Sequence, residues 1–470
     1  RGLPISCFLN YVPDSRTGLS SHYDENIWLA SAGGGIGGYW GDIRSNGIST
    51  SNGSKSTGCI PFMHVVDSQM LAFNQGVTRR GSYAAYLDIS HPEIEEFINM
   101  RKESGGDINR KCLNLHNGVN LTNDFLQAVK NDEDWRLIDP KTNKPVRTIN
   151  ARALWWQLIN ARAETGEPYM INIDICNEHL PKSQKDLGLE IKQSNLCSEI
   201  TLATNEERTA VCCLSSVNLE KFDDWKDNKQ FIPDLITMLD NVIQHFIEQV
   251  VDIEALGEYN ANYKRFTKHI KEEKEGYVRA AFSAYRERSI GLGAMGFHAY
   301  LQSKGIPFEG MSATGVNYQC FKHIKSKALK ATKELADRRG ACPDSGGNNI
   351  RNMHLLAIAP NASSSIICGG TSPSIEPYRA NVYSHKTLSG TYQVKNRYLE
   401  KVVNKKKLSK DEKENLWKDI SGSNGSIQHL DIFTDDEKEV FKTADEINQI
   451  WIVEHAYKRQ EFVCQAQSVN

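Results

Sequence analysis

The alternation of apolar, β-branched runs with amphipathic segments predicts an α/β fold built on a mainly parallel sheet. The clearest strand is Pro168 to Asp174, a stretch rich in apolar and β-branched residues that suits a parallel strand buried on both faces. It follows an amphipathic helix, Arg152 to Glu164, that stops at Gly166. At 470 residues the chain exceeds one usual domain, yet a large α/β barrel can hold most of it as a single unit.

In chain order, Arg1 to Asn10 reads as a strand and Asp14 to Gly18 as a turn opened by an Asx-type residue. Residues 20 to 32 have helical periodicity and run into Gly33 to Gly38, where five of six positions are glycine, so the segment is either a linker or a place of close backbone approach. Ser45 to Gly58 is a Ser/Gly/Thr/Asn-rich loop. Gln75 to Gly81 is a glycine-flanked loop with two arginines, a pattern that fits phosphate or base recognition as well as a solvated turn, and Tyr83 to Ile89 is a strand. His91-Pro92-Glu93 opens a helix running to Lys102, with proline in the first turn and acids at the positive end of the dipole. A strand over 111–121 and a short helix over 123–130 follow.

Beyond Cys212 and Cys213 the spacing predicts helices over 232–256, 276–303 and 312–338, the last closed by Arg338-Arg339-Gly340. Gly291 to Gly296 matches GxGxxG, but the periodicity before it is helical, so close helix packing is preferred to a dinucleotide site. Met353 to Ala359 is a strand leading into Pro360-Asn361-Ala362-Ser363-Ser364-Ser365, where hydroxyls before a helix start can cap it, hold a phosphate, or do both. Residues 398–420 form a Lys/Glu-rich, solvated helix.

A net charge of -2 with 24% charged residues excludes bulk electrostatic attraction to nucleic acid or an anionic membrane. Apolar runs are too short for a transmembrane helix and no signal peptide is visible, so a soluble, cytoplasmic protein is expected. Eleven cysteines, scattered along the chain apart from the neighbours Cys212 and Cys213 and without CxxC or Cys/His metal spacing, argue against a zinc site or a secreted disulfide framework. They read as buried thiols of a reducing compartment, reactive only where their surroundings demand it. The first residue is not Met and Glu461 to Asn470 breaks off before any turn or cap, so the chain is expected to be a fragment or split product.

The stretch with most chemistry is Asn195-Leu196-Cys197-Ser198-Glu199. If extended, it would place an amide, a thiol and a carboxylate on one face, since strand side chains alternate with period 2. Alone, the same pattern also describes a short buried strand with a packed cysteine. Cys7 lies far upstream, and Cys212 and Cys213 follow shortly after.

Taken together, Pro4 to Cys7, Gln75 to Gly81, Gln193 to Ile200, Cys212 to Leu219, Pro360 to Ser365 and Ser374-Ile375-Glu376-Pro377 resemble, in order and over almost the whole chain, the large (alpha) subunit of class I ribonucleoside-diphosphate reductases of bacterial or phage type. The resemblance implies a ten-stranded α/β barrel of two five-stranded halves with a central finger loop, and one incomplete catalytic barrel domain over 1–470. It implies thiyl-radical reduction of ribonucleoside diphosphates to 2'-deoxyribonucleoside diphosphates. In that scheme Cys197 carries the radical, Glu199 deprotonates the 3'-hydroxyl, Asn195 orients the sugar, and Cys7 with Cys212 supplies two electrons as a redox-active disulfide.

Substrate would meet Ser6, Gly35, Asn361, Ala362, Ser363 and Ser364, although position 362 is Ala where some relatives have a carboxylate. Deoxynucleotide or ATP effectors would meet Asp14, Ser15, Arg16, Arg44 and Arg79. No metal or cofactor would be held by this chain. The radical would come from a separate small subunit with a dimetal cofactor, thioredoxin or glutaredoxin would serve as reductant, and large subunits would pair as a homodimer. The N-terminal ATP-binding region, the tyrosine pair that relays the radical and the tail cysteines are expected outside the chain, so activity is expected to need a second polypeptide, such as a separately encoded C-terminal fragment. A non-catalytic nucleotide-binding component and another thiyl-radical barrel enzyme, glycyl-radical or cobalamin-dependent, are the alternatives.

Overall fold

The computed structural model describes Ile5 and residues 7–75, 79–387 and 389–469. Its contacts divide the chain into two compact units, the first made of residues 1–213, 237–291 and 332–354, the second of 214–236, 292–331 and 355–470.

The first unit is organised on parallel strands β1 (Cys7–Tyr11), β2 (Gly35–Tyr39), β3 (Ser82–Asp88), β4 (His116–Leu121) and β5 (Tyr169–Asn172), hydrogen-bonded in that order. Five parallel neighbours joined by helical crossovers are one half of the expected barrel. Strand β6 (Ala210–Asn218) runs antiparallel to β1, with Cys7 opposite Cys212 and Leu9 opposite Ala210. The core strands are apolar on both faces: Phe8, Leu9, Ile36, Tyr83, Ala84, Tyr86 and Leu87 are all fully buried.

In the second unit the end of β6 lies beside β7 (Ile290–Met295). Single parallel bridges continue from Leu292 to Leu356 and from Ile358 to Gln467. A satellite core lies under the later helices, where Leu399, Val403, Trp417, Ile420 and Phe433 pack together. Among the described residues, no helix is long and apolar enough to cross a membrane.

The helices over 123–131, 151–165 and 311–339 and the parallel strand β5 match the sequence reading. Several segments differ. The glycine run is not a loop but the buried strand β2, because residues without Cβ are needed beneath the chain that crosses it: a Cβ at Gly37 would overlap the Ser194 carbonyl. The helix expected over 276–303 is three elements, Val278–Glu287, β7 and Phe297–Ser303, since Arg288 adopts the left-handed conformation (φ 47°) and caps the first helix. The predicted 353–359 strand forms only bridge contacts, and the strand read over 111–121 starts at His116. The helix read over 398–420 divides in two at Ser409, which forms a capping box with Glu412. Two hairpins, Asp134–Asp139 with Lys144–Asn150 and Val382–Thr387 with Gly390–Lys395, have no counterpart in the sequence reading.

Candidate active site

The loop 193–200 is laid across the parallel strands of the first unit. Gln193 Nε2 donates to the carbonyl of Asn10 in β1 at 2.9 Å and Asn120 of β4 donates to the Lys192 carbonyl at 2.7 Å. The Lys192 ammonium sits 4.9 Å from the centre of the Tyr39 ring and 3.3 Å from Asp42. The base of the loop is therefore tied to β1, β4 and the end of β2.

The tip is a turn. The expected extended segment with alternating side chains is overturned: Ser198 has φ 63°, and its N–H donates to the Asn195 carbonyl at 3.3 Å. A turn replaces the strand because the ends of the loop are already satisfied by the sheet and the chain must reverse at the tip. Asn195 organises this turn. Its Oδ1 accepts from Ile200 N at 3.1 Å and its Nδ2 donates to Cys7 Sγ at 3.6 Å, so one amide holds both the loop and a thiol on β1.

Cys7 and Cys212 occupy one rung of the β1/β6 ladder. Residues directly opposite in an antiparallel pair have Cβ atoms about 4.5–5.5 Å apart, within a small backbone adjustment of disulfide geometry. Gly35 of β2 flanks Cys7 on the other side, leaving the thiol without a neighbouring side chain from that position. Cys213 alternates to the opposite face of β6, and burial pushes its thiol up to about 12. Cys197, in the turn, is half-buried.

Glu199 is 1% exposed, and its Oε2 has no hydrogen-bond partner among the described residues. Desolvation raises the carboxyl to about 7, partly offset by hydrogen bonds from its own backbone and from Asn195. A buried carboxyl with one vacant oxygen and a pKa near neutrality suits general-base work on a bound hydroxyl.

At the end of β1, Asp14 receives Arg44 through Nε at 3.0 and 2.9 Å, Ser15 caps the helix Arg16–Ser31 by accepting from Gly18 N, and Arg16 is exposed beside them. The four residues are thus brought together. Of Arg79 the backbone alone is described, in a two-residue ribbon with Gln75, and Ser6 lies outside the described residues.

In the second unit Asn361 sits at φ 54° ahead of the helix Ala362–Ile367, its Nδ2 donating to Ser216 Oγ at 2.9 Å and to the Ala359 carbonyl at 3.0 Å. Ala362, Ser363 and Ser364 are exposed in the first turn, where helical N–H groups have no intrahelical acceptor. This is a polar, anion-compatible helix start whose conformation is fixed by the Asn361 side chain.

One group of potential metal ligands occurs among the described residues, Cys59, His91 and Glu93, with donor atoms within 4.8 Å of one another. The protein already uses those atoms. His91 Nε2 donates to the Ile43 carbonyl at 2.9 Å, Nδ1 accepts from Glu93 N at 3.2 Å, and the Glu93 carboxylate takes Arg110 at 3.0 Å. The donor set does not fit a metal without losing these bonds. Sequence spacing gave no sign of this cluster, nor of Tyr86, whose hydroxyl reaches the Asn195 carbonyl.

A parallel half-barrel crossed by a cysteine-bearing loop, with two further cysteines on one rung beside it, defines a class of cysteine-based α/β barrel enzymes. A family model described as the barrel domain of ribonucleotide reductase matches residues 5–350 and 345–470, and the chain belongs to the ribonucleotide reductase large-subunit family. It is 46% identical over 469 residues to a protein of Frog virus 3 described as a ribonucleoside-diphosphate reductase large subunit, covering 100% of this chain and 77% of that one. The large subunit of Invertebrate iridescent virus 3 is 42% identical over 524 residues, covering 100% of this chain and 78% of its own length. Among solved structures, the Actinobacillus ureae class Id ribonucleotide reductase alpha subunit superposes with a TM-score of 0.83 at 35% identity, over 99% of this chain and 78% of that one.

Proposed function

We propose that this chain reduces ribonucleoside diphosphates to 2'-deoxyribonucleoside diphosphates for DNA precursor synthesis. The observation that carries the reading is the convergence at Asn195, which holds the Cys197 turn with one end of its amide and the Cys7 thiol with the other. Cys197, as a thiyl radical, takes the 3'-hydrogen of the ribose while Glu199 takes the proton of the 3'-hydroxyl. The 2'-hydroxyl, protonated from the cysteine pair, leaves as water. Cys7 and Cys212 together give up two electrons and two protons and become a disulfide, and Cys197 returns hydrogen to C3'. Atoms balance: one ribonucleotide and two thiols yield one deoxyribonucleotide, one disulfide and one water.

Asn361 with the first turn at Ala362, Ser363 and Ser364 receives the substrate phosphates, assisted by Ser6 and Gly35 near the sugar. Asp14, Ser15, Arg16, Arg44 and Arg79 receive a deoxynucleotide or ATP effector that selects the base, by coupling between two sites. The radical enters from a separate small subunit with a dimetal cofactor, thioredoxin or glutaredoxin re-reduces the pair, the large subunit works as a homodimer, and the setting is the cytoplasm.

The test is deoxynucleotide formation from a ribonucleoside diphosphate, by the chain assembled with its radical-generating partner and an external dithiol. Turnover abolished in Cys197→Ser with nucleotide binding retained is the expected result. Turnover that survives that substitution overturns the assignment.

A further inference from the structure

Tyr86 lies on the central strand β3 and is fully buried. Its hydroxyl donates to the backbone carbonyl of Asn195 at 2.6 Å, across 109 residues of sequence. That carbonyl is the acceptor on which the loop tip turns, and its other donor, Ser198 N, is longer, at 3.3 Å. Ser198 holds φ 63°, a conformation unfavourable for a residue with a side chain, so the turn persists only while its surroundings enforce it.

The surroundings are built around the same tyrosine. Leu196, at the tip, packs on the cluster of Ala84, Tyr86 and Ile171. Gly118 on β4 leaves the space the ring occupies, since a Cβ there would overlap it. The ring seats one side of Cys197 through Leu196, and the hydroxyl fixes the other through Asn195. Tyr86 acts on the thiol through the loop backbone, by its bond to the Asn195 carbonyl.

We propose that Tyr86 is a positioning residue for Cys197: its hydrogen bond to the Asn195 carbonyl sets the turn that aims the thiol at the substrate. This rests on the thiyl-radical reading above. Removing the hydroxyl leaves the sheet and the Leu196 seat intact but lets the turn relax, so the hydrogen-abstraction step slows while nucleotide binding does not.

Two measurements on Tyr86→Phe test it. In the enzyme assembled with its radical-generating partner, kcat is expected to fall about tenfold or more with KM for the nucleoside diphosphate unchanged. The kinetic isotope effect with 3'-deuterated substrate should rise as abstraction becomes rate-limiting, a readout that partial misfolding would not move. Independently of turnover, iodoacetamide labelling of Cys197, followed by mass spectrometry, should accelerate severalfold in the variant relative to Cys368, which is exposed in the second unit. An unchanged isotope effect together with unchanged Cys197 labelling overturns the proposal. A wild-type enzyme that forms no deoxynucleotide while its Tyr86→Phe variant shows accelerated labelling overturns the functional reading and leaves the positioning role standing.

Discussion

The side-chain amide of Asn195 donates to the sulfur of Cys7 at 3.6 Å, joining residues 188 positions apart in the sequence. Because Asn195 Oδ1 is simultaneously held by Ile200 N, the amide cannot rotate without releasing the loop. Asn195→Ala should therefore do more than remove a substrate contact. It is expected to cut kcat by at least about a hundredfold and to raise the alkylation rate of both Cys7 and Cys197. A variant that loses turnover with unchanged thiol reactivity would restrict Asn195 to substrate binding.

The rung shared by Cys7 and Cys212 predicts a stoichiometric burst. Without external reductant, the enzyme should form about one deoxynucleotide per chain and stop, with a Cys7–Cys212 disulfide recoverable by peptide mapping. Cys212→Ser should remove the burst, whereas Cys213→Ser, altering the opposite face of β6, should retain it. Both thiols still titratable after the burst would refute the pairing.

Glu199 predicts the acid limb of the pH profile. Its carboxyl is raised to about 7 by desolvation, so the base form is lost as pH falls through that value, and kcat should drop about tenfold per unit below it. The sign for stability is opposite. A carboxyl with a raised folded-state pKa contributes stability at low pH that disappears as pH rises through 7. Glu199→Gln should thus be inactive yet more resistant to urea at pH 8, by up to about 3 kcal/mol. A variant less stable than the wild type at that pH would contradict the burial argument.

Asp240 predicts where the scaffold is most fragile. It is fully buried and receives Arg288 at 2.8 Å, Arg339 at 2.9 Å and Asn352 at 3.2 Å. Burial alone would raise its carboxyl, but Arg288 and Arg351 outweigh that and hold it below the usual range. Its contribution is present at neutral pH and is lost as pH falls through that lowered value. Asp240→Ala strands the buried guanidinium groups of Arg288 and Arg351 and should cost about 3–5 kcal/mol, read by chemical denaturation.

The Asp14–Arg44 pair predicts the effector response. The two side chains satisfy each other at 2.9 Å, so an effector placed there must exchange that ion pair for its own contacts. Arg44→Ala and Arg79→Ala should each flatten the change in base preference among effectors, measured with competing substrates. Preference that still switches normally in both variants would remove these residues from the effector site.

What the sequence made legible follows from period and punctuation. The parallel strand at 169–172 and the helix stopped by Gly166 were visible because buried β-branched runs and left-handed glycines leave local signals. The cysteines and Glu199 were legible only through their joint pattern, since each alone also fits a packed core. The turn at Ser198 and the strand at Gly35–Tyr39 were not, because both are dictated by a tertiary crossing in which the loop backbone displaces the side chains a strand would normally carry. The role of Tyr86 was equally hidden: nothing local marks a tyrosine whose partner is a backbone carbonyl on a distant loop.

The crossing at Gly37 separates two properties usually measured as one. A methyl group there would collide with the Ser194 carbonyl, while alanine is otherwise acceptable in a buried strand. Gly37→Ala would therefore expel the loop and spare the scaffold, giving material that expresses, purifies and shows native circular dichroism but performs no chemistry. For this molecule, yield and monodispersity report on the sheet, and the placement of the loop has to be read from the reactivity of its thiol.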